Sequence, residues 1–497
     1  MLSLFVRPAR VLRMCAGAAV LSLVTVSACD DEDEPTGPSQ EEPPPPPSLI
    51  GFQNRSVSPL LVKKVLDGVQ AFTLISSDDV LPESPTFVYG GSADGNGLLK
   101  NADGTYTYVT NNEDNFSVSR VILDPTFRPI RGDYLINSTG GRYRLCSATL
   151  ATPEEHGFGP LFITAGESSN ESQIHGIDPR GAMNSSTFLT ALGRWTSEQA
   201  LPLPKTAYAG KTVIIIGDDD SGPNGGQIVM YVSNTVGDLT GGKLYVLART
   251  DGITRERDLS VGQTVNVEFK ELTNVTGSTG AQLDAQTATL RAIQFGRTED
   301  VDYRRGGGAN GREVYFAVTG QNNTGVNANY DRTKYGRIYR MRLSETDPLR
   351  GTLEVIVDGD DRSGPAKRLQ NPDNVTVTQN YVYYTEDPNG YGDESHDAIM
   401  YRYDIATKEI LAVMELDHRR TTSDASIYNV GGTSSYGSWE FGGMIDVSDI
   451  VGVPGTFIVN VQPHSWTSSR FENPDSGTLR PNERQASQTI LLRGLAR

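Results

Sequence analysis

The chain has little cysteine, too little basic charge to balance its acids, no apolar run long enough to span a bilayer comfortably, and almost no amphipathic helical pattern. Three cysteines stand among 497 residues. Cys15 falls in a segment expected to be cleaved and Cys29 at a lipidation position, so Cys146 is left as the single thiol of the body and an intrachain disulfide is excluded. Lysine and arginine total 44 against 61 aspartates and glutamates, a formal charge of −17. That balance argues against nucleic acid and anionic lipid surfaces as partners of the body. Without 3.6-residue periodicity, and with short alternating runs of β-branched and aromatic residues amid 52 glycines, the chain reads as all-β.

What is present begins with Arg7, Arg10 and Arg13, then apolar residues from Ala16 to Val26, then Val26-Ser27-Ala28-Cys29. Basic, apolar, then small residues before a cysteine is the order of a lipoprotein export signal. The expected segments are a signal peptide over 1–28, an acidic and proline-rich tether over 29–48, and one globular domain over 49–497. Cleavage removes three arginines and no acid, leaving −20 on the mature chain. Two or three acyl chains on Cys29 anchor firmly, since each buried methylene contributes about 0.8 kcal/mol. The tether, with Asp30 to Glu34 and Pro43 to Pro47, repels itself and stiffens instead of joining a core. The expected address is a membrane-anchored lipoprotein of a Gram-negative bacterium, on the periplasmic side or the cell surface, working as a monomer.

Behind the tether an internal repeat emerges when each apolar run is aligned on the polar residues that end it. The runs at 105–109, 161–164, 213–216, 314–318, 381–384 and 457–461 each meet such a polar end, and a second strand follows each: 117–123, 173–178, 227–232, 337–342, 399–404 and 489–492. Six units predict a six-bladed β-propeller, with an insertion near 250–290 and the apolar runs as inner strands; a pair of β-sandwiches is the alternative. Glu113, Glu167, Asp219, Asp220, Glu386 and Asp387 all follow the apolar runs, so the propeller would gather them at one channel mouth. Singly, each is an ordinary turn former or solvated acid. Together they repel unless cations bind, and hard oxygen donors suit Ca²⁺, Mg²⁺ or Mn²⁺, whereas a Cys146 thiolate favours a transition metal such as iron.

Ser92-Ala-Asp94-Gly95, Thr110-Asn-Asn-Glu113, Arg144-Leu-Cys146, Ala165-Gly-Glu167, Gly217-Asp-Asp-Asp220, Arg297-Thr-Glu299-Asp300, Asn371-Pro-Asp373-Asn374, Thr385-Glu386-Asp387, Trp439-Glu440 and Asn460-Val-Gln462 occur in that order. In number and order they resemble the motifs of the PhoX-type alkaline phosphatases. That resemblance implies a six-bladed propeller whose channel holds calcium and iron ions and hydrolyses phosphate monoesters. It also implies metal ligation by Cys146 and by acids among Glu113, Glu167, Asp219, Asp220, Glu299, Asp373, Glu386 and Glu440, with Asn374 adding a neutral oxygen. Arg297 is implied as the guanidinium that contacts phosphate; its structural alternative is an ion pair with Glu299 or Asp300. Three features depart from the family pattern: Ala151 to His156 after the cysteine motif, Ser168 in place of a second carboxylate, and Pro463-His464 in inverted order. The two expected functions are therefore a phosphatase acting on small phosphate esters and a non-catalytic calcium-binding propeller with a partner- or glycan-binding face.

Overall fold

In each apolar run, successive residues face opposite sides, and both sides are greasy, so these strands must lie between two other layers. A computed structural model, which describes residues 49–430 and 436–497, shows how. Cys29 and the expected signal segment and tether lie outside the described residues. Residues Pro47–Arg497 form one unit, all-β and propeller-like, with antiparallel sheets set around a common channel. The apolar strands are Tyr106–Asn112, Leu161–Gly166, Thr212–Asp218, Glu313–Val318, Tyr381–Glu386 and Thr456–Gln462.

Alternate residues of these strands feed different hydrophobic slabs. In Thr212–Asp218, Ile214 and Ile216 join Ile163, Ala165 and Trp195 on one side, while Val213 and Ile215 join Phe316, Tyr339 and Met341 on the other. The core is thus a set of slabs between successive sheets, and each fully buried Ile contributes about 1.5–3 kcal/mol.

These apolar strands are not innermost, contrary to the expectation from sequence. Lining the channel are more polar strands: Ala93–Lys100, Leu145–Ala151, Ser197–Pro202, Thr298–Tyr303, Pro372–Val377 and Glu440–Asp446. Each packs on the next in chain order, and Glu440–Asp446 returns to Ala93–Lys100. Facing a channel, these strands carry polar side chains that tie them together. Asp94 Oδ1 accepts from the Gly443 N–H at 2.8 Å, Asn374 Nδ2 donates to Ser147 Oγ at 2.9 Å, and Asp300 Oδ2 accepts from the Val375 N–H at 2.9 Å.

The sheets number five among the described residues, where six separate ones were expected. The third and fourth units merge into a nine-stranded sheet because Thr264–Glu271, inside the expected insertion, pairs with Lys243–Arg249 on one edge and Arg350–Asp358 on the other. Closure comes from the amino-terminal side: Gln70–Ser76 adds to Gln488–Arg493, and Val62–Val65 to Ile410–Leu416. Each of these pairings satisfies an edge that would otherwise be exposed.

Candidate functional site

Each inner strand begins with a β-bulge: the register slips at Ala93/Asn96, Leu145/Ala148, Ser197/Gln199, Thr298/Val301, Pro372/Val375 and Phe441/Met444. Bulges re-aim side chains. The residues at five of these positions are Asp94, Cys146, Glu198, Glu299 and Asp373, each second in its strand, whereas Glu440, first in its own, precedes the sixth slip and pairs in register with Gln462. Glu113, Glu167, Asp219 and Asp387 follow the ends of the neighbouring apolar strands and form a second tier. The backbone must come close to achieve this. A Cβ on Gly217 would sit 2.1 Å from Glu299 O, and one on Gly95 2.2 Å from Ala148 N.

Three groups of ligand atoms each lie within 4.8 Å of one another: Asp94, Cys146 and Glu198; Glu113, Cys146 and Glu167; and Glu198, Glu299 and Asp373. Cys146 belongs to two groups and donates its thiol to Glu167 Oε2 at 2.9 Å. Burial raises the Cys146 thiol well above its usual range, reinforced by Glu113, Glu167, Glu198 and Asp94. Glu198 is raised by burial, then by Glu299, Asp373, Glu167 and Asp94. Asp373 follows the same logic: burial first, then Glu299 and Asp94. Such desolvated, mutually repelling acids bind either protons or cations.

Two neutral oxygens on residues beside this region are buried without hydrogen-bond partners, Asn374 Oδ1 and Gln462 Oε1. Their amide nitrogens are oriented by carboxylates, Asn374 Nδ2 by Asp94 at 3.4 Å and Gln462 Nε2 by Glu113 at 2.8 Å.

The sequence-derived candidates divide. Glu113, Cys146, Glu167, Glu299 and Asp373 come together as ligand groups. Asp219 stands beside Glu167, which it helps to raise after burial, but it spends its oxygens on Arg297 at 2.8 and 2.9 Å. Glu440 is on the same wall, raised by burial and then by Asp387, Glu113 and Asp373, and takes Nε2 of His464 at 3.0 Å.

Asp220 and Glu386 join none of the three groups. Asp220 Oδ1 accepts from the Gly222 N–H at 2.7 Å and shapes a turn. Glu386 Oε1 accepts from Gln370 N–H at 2.8 Å, and Oε2 from His396 Nε2 and Ile399 N–H at 2.9 Å each. Those three donors make Glu386 a brace of its own sheet. Arg297, at positive φ, is ion-paired with Glu299 at 2.9 Å and with Asp219, and its Nη1 donates to Asn389 Oδ1 at 2.8 Å. Asp300 does not pair with it.

Glu198 escaped the sequence reading altogether, and Asp94 was noticed only as part of a motif. Their signal was present: an acid or thiol lies 8 to 16 residues before each of the six apolar strands, at or next to the start of an inner strand.

Fold and site together define an all-β, propeller-like protein with an acidic, thiol-bearing cluster in its channel. The family model described as alkaline phosphatase PhoX matches residues 144–462, and the chain belongs to that family. Its fold is shared with the solved structure of Pseudomonas fluorescens PhoX in complex with vanadate, a transition state analogue. The two are 15% identical, with a TM-score of 0.62 over 90% of this chain and 98% of that one. Lower in similarity are the α-L-arabinofuranosidase Arb93A of Fusarium graminearum with an iminosugar inhibitor, at 11% identity and TM-score 0.37 over 80% and 92% of the two chains, and the GH43 β-1,3-galactosidase BT3683, at 10% identity and TM-score 0.34 over 84% and 94%. No curated protein matches the chain.

Proposed function

We propose that this protein is a metal-dependent phosphatase that hydrolyses small phosphate esters outside the cytoplasm. The observation that carries the reading is the convergence of Asp94, Glu113, Cys146, Glu167, Glu198, Glu299 and Asp373 into three overlapping groups of ligand atoms. The donor set fits the ions that the family resemblance implies. Carboxylates with the unpartnered oxygens of Asn374 and Gln462 suit calcium, and the thiol suits iron. Such ions, when bound, supply Lewis acidity toward a phosphoryl oxygen.

The chain's own contribution is position. Bulges hold the first tier of ligands on rigid inner strands. Asp219 and Glu299 hold the Arg297 guanidinium beside them, and its Nη1 faces only the neutral Asn389. That edge is where a phosphoryl oxygen can replace a neutral partner and gain a charge-assisted bond. Thr319 steadies Glu299, its hydroxyl donating to Glu299 Oε1 at 2.7 Å.

We read the nine-stranded sheet as two blades zipped at their outer edges, which makes the whole a six-bladed propeller over 49–497. We read residues 1–28 as a signal, 29–48 as a tether and Cys29 as a lipidation site, which would hold the protein on a membrane facing away from the cytoplasm; we read it also as a monomer. A Cys29→Ser chain that stays in the membrane fraction would overturn the anchor.

The deciding experiment measures calcium and iron in the purified protein together with p-nitrophenyl phosphate turnover, before and after chelation. Turnover that is lost on chelation and restored by metal is expected. Bound metal without turnover would favour the non-catalytic propeller, and neither would sink both readings.

A further inference from the structure

We infer that Arg144 is a second guanidinium that contacts substrate, and that it makes this site prefer the dianionic phosphate of a monoester to the monoanionic phosphate of a diester. The inference rests on the phosphatase reading above. Arg144 stands two residues before Cys146, at the entry to the Leu145–Ala151 strand. It pairs with the Glu113 end of the cluster, Nη1 to Oε1 at 3.1 Å. Arg297 holds the other end through Asp219 and Glu299, and Glu167 feels both cations. The Glu113, Cys146 and Glu167 group therefore lies between two guanidinium groups.

The two arginines differ in how they are held. Arg297 makes two bonds to Asp219, at 2.8 and 2.9 Å, with 19% of its side chain exposed. Arg144 makes one contact to each of two acids, at 3.1 and 3.4 Å, with 44% of its side chain exposed. Those distances exceed the ~2.7–2.9 Å of strong charge-assisted bonds.

Arg144 is the main charge that offsets the burial of Glu113, but both of its partners have other donors as well. Asp114 also accepts from Ser92 Oγ at 2.8 Å and Gln485 Nε2 at 2.7 Å, and Glu113 accepts from Gln462 Nε2 at 2.8 Å. Ser168, whose hydroxyl receives the Arg144 N–H at 2.8 Å, adds no carboxylate to neutralise the guanidinium. Arg144 is thus a loosely held cation on the lip of a buried acidic cluster, with donors to spare. A monoester presents three non-bridging oxygens and two charges, enough for both arginines as well as the cluster. A diester presents two oxygens and one charge.

The test uses the full chain with its metals as purified, in Arg144→Gln and Arg144→Lys forms. Substrates are p-nitrophenyl phosphate and bis(p-nitrophenyl) phosphate, with inorganic phosphate as competitor. Loss of one charged hydrogen bond predicts about a tenfold rise in monoester KM and in the phosphate inhibition constant for Arg144→Gln. Monoester kcat and diester kinetics should change far less, so the monoester-to-diester ratio of kcat/KM falls about tenfold. Arg144→Lys, which keeps the charge and loses the fork, should fall between.

Unchanged KM and inhibition constant in an active Arg144→Gln protein would overturn this inference alone. So would an equal loss on both esters, or a fall in metal content that parallels the activity, since each marks a brace for Glu113. Wild-type protein that turns over neither ester refutes the phosphatase reading and this inference with it.

Discussion

Replacing Glu198 by Gln should change stability in opposite directions with and without cations. Glu198 shares one ligand group with Glu299 and Asp373 and another with Asp94 and Cys146, each spanning no more than 4.8 Å. Two unit charges at that separation repel by about 3.5 kcal/mol at an effective dielectric constant near 20. Proton uptake by the raised carboxyls relieves part of this, so removing one acid in chelator should stabilise the fold by about 1–3 kcal/mol. The glutamine can still accept the Ser147 N–H that Glu198 Oε1 takes at 3.2 Å.

With cations at a hundredfold over their dissociation constant, the wild-type protein gains about 2.7 kcal/mol. The variant, short of a ligand shared by two groups, should gain much less. Urea unfolding followed by fluorescence of Trp195, Trp439 and Trp466, all buried, reads both conditions. Equal destabilisation of the variant in chelator and in calcium would refute the reasoning and make Glu198 a structural hydrogen-bond acceptor.

Cys146→Ala should lower bound iron while calcium stays near its wild-type level; unchanged iron by elemental analysis would remove the thiol from the ligand set. Gly217→Ala should cost about 1–3 kcal/mol and activity as well, because its Cβ would meet the backbone oxygen of Glu299 at 2.1 Å, an atom that cannot swing away; denaturation midpoints check it. Arg297→Lys should reduce kcat/KM at least tenfold, since a lysine cannot bridge Asp219 and Glu299 and still present an edge to phosphate; wild-type kinetics would refute that role. Acid should weaken the fold through His156, whose pKa burial lowers to about 4. A depressed imidazole contributes stability above its unfolded pKa near 6.5, and about 3 kcal/mol of it is lost progressively as pH falls toward 4. His175, lowered to about 4 by burial, acts in the same direction. Urea midpoints from pH 7 to 4 that fall no further in wild type than in His156→Gln would contradict the contribution of His156.

The apolar strands were legible because burial on both faces demands continuous apolar sequence, and all six of them form. The inner strands were not, because residues that line a channel bond across it with polar side chains and leave no alternating pattern. For that reason neither Asp94 nor Glu198 stands out in the sequence as a ligand, and the apolar strands look innermost. Glu386 follows an apolar run and falls in a family-like motif, yet backbone donors from Gln370 and Ile399 claim it. A position in sequence cannot tell which of two carboxylates one residue apart will meet backbone donors and which will meet other acids.

By itself, then, the sequence determined the all-β class, the order of the repeat, the single thiol of the body and most of the acids around it, since composition and strand patterning are local properties. Tertiary structure alone decided which of those acids converge, that Glu198 joins them, that Arg297 is locked by Asp219 while Arg144 stays loose, and that two units share one sheet. Each of these depends on bulges and on contacts between residues dozens to hundreds of positions apart; the spacing of acids before apolar strands marks candidates such as Glu198 but not which of them meet.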